Sequence, residues 1–264
     1  MDKFKQEIVE ENKKSLFPTH IVELPSKGLL YAKTNPLSQG TVEIKYMTTK
    51  EEDILTTESY IKQGVVIDKL LESIILSPKF VYDTLLIGDK NAIMIATRIY
   101  GYGENYEITV TTPSGNKQKT LIDLSTLQNK ELASEVVTNE GENRFSFTMP
   151  KMKSLVDFKL LTVWDDKYID SILKKPRVAG SRDPRLTLML NQMVLSVDGN
   201  NEPQVIKSFV ESLPVSDAKA FREFAASITP NVDLEIDAVD EVTGETFRTD
   251  VTFDARFFWP DARI

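Results

Sequence analysis

The sequence predicts a cysteine-free α+β fold in which helical segments alternate with two ribbon-like β-hairpins, arranged as two similar halves. Three observations predict it. Apolar residues recur at helical spacing in several stretches, two stretches alternate apolar and polar residues around a glycine turn, and the order of helices followed by a hairpin occurs twice.

The elements follow in order. Residues 1–20 read as a polar helical arm with Phe4, Ile8 and Val9 as a thin apolar stripe, stopped by Pro18. Ile21–Leu24 and Leu29–Tyr31 read as short strands around the turn Pro25-Ser26-Lys27-Gly28. Val42–Tyr46 alternates as a half-buried strand. Thr49 with Glu52 has the spacing of a capping box, which starts a helix near Lys50 and lets Gly64 end it. Val66, Ile67, Leu70, Leu71, Ile74 and Ile75 then mark a buried helical face. Ala92, Ile93, Ala96, Ile99 and Tyr100 mark another, broken at Gly101-Tyr102-Gly103. Tyr106–Val110 and Thr120–Ile122 flank the turn Pro113-Ser114-Gly115 as the first hairpin, which closes an N-terminal domain over 21–128.

The C-terminal domain, 129–264, opens with Phe145–Met149 as a strand. A helix follows through Leu186, Met189, Leu190, Met193 and Val194, stopped at Asp198-Gly199. A second helix carries Val205, Ile206, Phe209, Val210 and Leu213. A third is capped by Ser216 and carries Phe221, Phe224, Ala225 and Ile228. Val232–Ile236 and Phe247–Phe253 form the second hairpin around Thr243-Gly244.

Composition narrows the function. The 264 residues are 41% hydrophobic and 27% charged, enough apolar material for a real core. A net charge of -8 disfavours a phosphate-neutralising nucleic-acid binder. No apolar run reaches bilayer length, and the charged start does not suit a signal peptide, so folding in a cytoplasm is expected. With no cysteine, disulfides and thiolate metal sites are excluded.

Catalytic chemistry finds little support. His20, the single histidine, has no partner signalled in the sequence and reads as a surface or packing residue. Gly101-Tyr102-Gly103 ends a helix where a dinucleotide loop would open one, and Ser26-Lys27-Gly28 has a phosphate loop's residues in the wrong order. Asp198–Glu202 hints at calcium, but Pro203 stands where the loop's glycine belongs. No cofactor, metal, small-molecule substrate or membrane is expected. An enzyme working through carboxylates at an unrecognised site is the weakest reading.

Two segments point to protein contacts. Residues 174–185 carry Lys174, Lys175, Arg177, Arg182 and Arg185 against the one acidic Asp183. The plain reading is a solvated loop, and the functional one is docking against an acidic surface, including the acid-rich second hairpin across a subunit boundary. Phe257, Phe258 and Trp259 near the chain end either plug the core, which is favoured, or anchor a partner. The arm at 2–16 is a third candidate contact, too thin in its apolar stripe to fold alone.

The stretch Leu24-Pro25-Ser26-Lys27-Gly28-Leu29-Leu30-Tyr31 resembles the opening of the T-even-type bacteriophage baseplate hub family. The segments Met47–Leu55, Gly88–Ala92, Arg98–Gly103, Ser196–Gly199 and Phe257–Pro260 are similar to that family in the same order, so the resemblance spans nearly the whole chain. It implies a hub component of a contractile tail, with other baseplate proteins or further copies of itself as partners. Whether it stays as a subunit or leaves as an assembly chaperone is open. In relatives both hairpins can carry a Cys-x-x-Cys-Gly knuckle suited to zinc. Here those stretches read Thr111-Thr112-Pro113-Ser114-Gly115 and Asp240-Glu241-Val242-Thr243-Gly244, so the hairpins are expected to stand on pairing and packing without metal.

Overall fold

The computed structural model describes residues 18–77, 79–175, 183–253 and 257–259. The expected arm before Pro18, and Arg177 and Arg182 of the basic segment, lie outside the described residues. The fold is α+β, with helices and small antiparallel sheets.

The chain opens with β1 (Thr19–Glu23) and β2 (Thr41–Lys45), paired antiparallel with Val22 opposite Val42. Helices α1 (Thr49–Thr56), α2 (Glu58–Gln63) and α3 (Val66–Ile74) follow, and Ile75 returns to bridge Ile44 on β2. The long helix α4 (Ile87–Tyr102) leads into the hairpin β3 (Asn105–Thr111) and β4 (Lys117–Asp123). After the short α5 (Ser134–Thr138), β5 (Phe145–Thr148) and β6 (Leu155–Phe158) pair, and α6 (Val163–Leu173) and α7 (Arg185–Met193) follow. Strand β7 (Val194–Val197) then joins β6. Helices α8 (Pro203–Ser212) and α9 (Val215–Ile228) lead into the closing hairpin, β8 (Glu235–Val239) with β9 (Thr246–Asp250).

The same construction appears twice, down to individual side chains. A lysine stands at the end of the second strand of one half and just after it in the other, followed three residues later by a threonine and three after that by a buried acid: Lys45, Thr48, Glu51 and Lys159, Thr162, Asp165. Glu51 accepts from Thr48 N (3.0 Å), Thr48 Oγ1 (2.6 Å) and Lys45 Nζ (2.7 Å). Asp165 repeats this with Thr162 N (2.9 Å), Thr162 Oγ1 (2.8 Å) and Lys159 Nζ (2.7 Å). The acid at the third helical position satisfies the cap residue's amide and favours the helix dipole. At the other end of each half, an aspartate in the first turn of the long helix holds the turn after the first strand. Asp89 takes Ser26 N at 2.9 Å, and Asp217 takes Lys151 N at 3.0 Å and Met152 N at 2.9 Å.

Several local expectations change. Leu29–Tyr31 forms turns rather than a strand, because Tyr31 is drawn inward: its hydroxyl donates to Asp89 and accepts from Leu86 N. The first helical cap is Thr48 with Glu51, one residue earlier than the Thr49–Glu52 spacing suggested, and Glu51 is the acid that is fully buried. Val194 belongs to β7, since the helix ends at Met193 and Val197 pairs with Val156. Ser216 lies inside α9, whose cap residue is Pro214.

One buried cluster runs from Val22 to Phe258 and draws on both sides of residue 128. The halves join where α4 starts. Ile87 N donates to Leu161 O (3.2 Å), Val163 N donates to Leu85 O (2.8 Å), and Leu86 bridges Thr162. A Cβ at Gly88 would sit 1.8 Å from Pro230 O, so only glycine admits this approach.

Candidate partner-binding surfaces

The described part of the basic segment sits at the ends of α6 and α7. Lys174 and Lys175 are exposed, and Lys174 Nζ donates to Gln63 O, tying the end of α6 to the end of α2. Arg185 is exposed and pairs with Asp170 at 2.8 Å. Lys174 also lines an open groove of about 950 Å³ with Asp68, Lys90, Asp166, Lys167 and Asp170. Its charges are largely balanced within the chain: Lys90 meets Asp68 at 2.7 Å, and Lys167 meets Asp83 at 2.8 Å while lying over the Tyr82 ring. Burial pushes the Asp166 carboxyl up, with Lys90 pulling the other way.

The aromatic end is spent inside the molecule. Phe257 and Phe258 are each 2% exposed. Phe257 packs edge-on to Tyr106 (5.1 Å) and to Phe258 (5.0 Å), and lies 4.5 Å from Phe253. These two rings close the core over the first hairpin and keep little exposed area of their own. Trp259 is half-buried, and its Nε1 donates to Leu55 O at 3.2 Å.

The acid-rich second hairpin meets the first hairpin of the same chain. Asp240 is fully buried at the joined tips. It accepts from Ser114 N (3.4 Å) and Val242 N (2.9 Å), while Gln118 Nε2 donates to Val239 O (2.7 Å). Hydrogen bonding from Ser114 is the main cause that holds the Asp240 carboxyl down at about 2. The stretches noted for their lost thiols, 111–115 and 240–244, are thus brought together and linked by a carboxylate. Among the described residues, no three His, Cys, Asp or Glu side chains are grouped to hold a metal.

The buried carboxylates are occupied by the fold. Glu51 and Asp165 cap helices, as above. Asp68 accepts from Tyr82 OH (2.9 Å) and Lys90 Nζ. Asp89 accepts from Ser26 Oγ (2.7 Å) and Tyr31 OH (2.6 Å) as well as Ser26 N. Burial raises the Asp89 carboxyl above its usual value, and those donors oppose the rise. His20 lies tilted against Tyr100 at 4.1 Å and shares a 2.9 Å hydrogen bond with its hydroxyl, a packing arrangement. Asp198, at φ 49°, accepts from Leu155 N and forms a plain turn.

Sequence reasoning missed α6 and the surface it carries. Trp164 (49% exposed) and Tyr168 (41% exposed) stack in parallel one turn apart, at 5.3 Å and 10°. The Thr162–Asp165 cap was readable in the sequence and announces that helix.

A family model described as T4 bacteriophage base plate protein matches residues 18–259. The chain belongs to this baseplate family. No curated protein and no solved structure matches it. Two family-like stretches of this baseplate protein, Leu24–Tyr31 and Gly88–Ala92, meet at one carboxylate: Asp89 ties the Ser26 turn and Tyr31 to the start of α4. Among the described residues, no helix of the baseplate protein is long and apolar enough to cross a membrane.

Proposed function

We propose that this baseplate-family protein is a component of the hub of a contractile phage tail, acting in baseplate assembly through protein–protein contacts. The observation that carries the reading is the family match over nearly all of the chain. The placement of its polar groups supports it. The carboxylates of Glu51, Asp68, Asp89, Asp165 and Asp217 are each taken up by a cap, a turn or an ion pair. The exposed Trp164–Tyr168 stack has the composition of a protein contact, since large rigid aromatics bury much area at small entropic cost. On this reading the chain works without cofactor or catalysis, folds in the host cytoplasm and ends in the tail.

The test is recovery of the tagged chain from infected cells, with bound proteins identified by mass spectrometry. Recovery of hub and baseplate proteins, reduced by Trp164→Ala with Tyr168→Ala, is the expected result. Recovery of no phage structural protein would contradict the proposal.

A further inference from the structure

The joint between the halves has an unused counterpart. In the joint, Leu85–Ile87, leading into α4, runs antiparallel to Leu161–Val163, leading into α6. The repeat puts Leu213–Val215, leading into α9, in the place of Leu85–Ile87. The local sequences agree: Asp83-Thr84-Leu85 and Glu211-Ser212-Leu213 each stand the same distance before the turn-holding Asp89 and Asp217. It likewise puts Met47–Thr49, leading into α1, in the place of Leu161–Val163.

Neither counterpart is engaged by the described residues. The joint satisfies the N–H groups of Val163 and Ile87 and the carbonyls of Leu85 and Leu161. Among the described residues, the equivalent N–H groups of Thr49 and Val215 and carbonyls of Leu213 and Met47 make no hydrogen bond. Exposure differs in the same sense. Leu85 and Leu86 are 0% and 3% exposed, whereas Pro214 is exposed and Val215, at 83%, is the most exposed large hydrophobic of the described residues. An apolar residue so placed is suited to a partner surface. The other counterpart offers an apolar face: Tyr46, Met47, Tyr100 and Tyr102 are each half-buried, with the Tyr46 and Tyr100 rings 5.0 Å apart.

We infer that a second copy of this chain docks head to tail, Leu213–Val215 of one copy pairing antiparallel with Met47–Thr49 of the next and repeating the joint already made inside each chain. Thr49 N–H donates to Leu213 O, Val215 N–H donates to Met47 O, and Val215 covers the tyrosine-rich face. Because the two surfaces differ, the contact is heterologous and builds a closed ring or an open stack. It does not depend on the hub reading, since it concerns the purified chain alone.

Sedimentation velocity over a concentration series tests it, together with disulfide crosslinking, which a cysteine-free chain makes unambiguous. The wild type is expected to form larger species as concentration rises. Val215→Glu should leave a folded monomer with an unchanged melting curve. The double variant Val215→Cys with Met47→Cys should form covalent oligomers on oxidation, which neither single variant forms. A wild type that stays monomeric at every concentration, assembly that survives Val215→Glu, or crosslinking by Val215→Cys alone would each overturn the inference.

Discussion

Replacing Asp89 by alanine isolates the contact that joins the two family-like stretches. The side chain is fully buried, and its two oxygens accept three hydrogen bonds: Ser26 N at 2.9 Å, Ser26 Oγ at 2.7 Å and Tyr31 OH at 2.6 Å. Alanine leaves those buried donors without their acceptor, and each unsatisfied buried donor costs about 1–3 kcal/mol. Part of this is offset, because the variant no longer desolvates a carboxylate. The net loss is therefore about 3–5 kcal/mol, the cost of three unsatisfied donors less that offset. The second half supplies an internal comparison. Asp217 holds two backbone N–H groups at a part-buried turn, so Asp217→Ala should cost less, about 1–2 kcal/mol. Urea unfolding of both variants reads the difference as a shift in midpoint at constant slope. A loss below about 1 kcal/mol for Asp89→Ala, or a larger loss for Asp217→Ala, would refute the reasoning.

Other expectations can be checked on the same material. Burial opposes the charge on Glu51, but Lys45, Ser73 and Thr48 donate to it and bring the carboxyl from 4.5 down to about 2. The folded value lies below the free one, so this contribution is complete above about pH 4.5 and is lost as the pH falls towards 2, about 3 kcal/mol in all. Glu51→Gln should flatten acid unfolding in that window, and an unchanged pH profile would count against the assignment. Gly88→Ala should destabilise far more than Gly115→Ala, because the first drives a Cβ into Pro230 O while the second meets open space and costs about 1 kcal/mol of backbone strain. Phe257→Ala should cost about 3–5 kcal/mol in thermal melts as a core truncation. Purified protein should hold no stoichiometric zinc by elemental analysis, and Asp240→Asn should speed amide exchange at both hairpin tips together.

The elements with strong periodicity were legible in the sequence: α3, α4, α8 and α9 each carry an apolar stripe, and both hairpins show alternation around a glycine. Helix α6 was not, because Trp164 and Tyr168 stay exposed and blur the stripe that marks a helix. The strand β7 was absorbed into α7, since Met193-Val194-Leu195 continues an apolar run that periodicity alone cannot divide. Leu29–Tyr31 looked like a strand because its residues are apolar and short in span. What decides its conformation is Asp89, far along the chain, and no local pattern signals that. The candidate surface was partly legible. The aromatics at 257–259 announced themselves by size, but size alone cannot say whether a ring closes its own core or a partner's. The exposed Val215 became meaningful only beside Leu85–Ile87, its engaged counterpart.

Mass spectrometry of purified, intact virions tests the central claim most directly. The account predicts the chain at a fixed ratio to the other tail baseplate proteins, resistant to washing and released only when the tail is dismantled. A virion that lacks the chain while infected cells contain it would contradict a place in the finished hub and assign the protein to assembly alone.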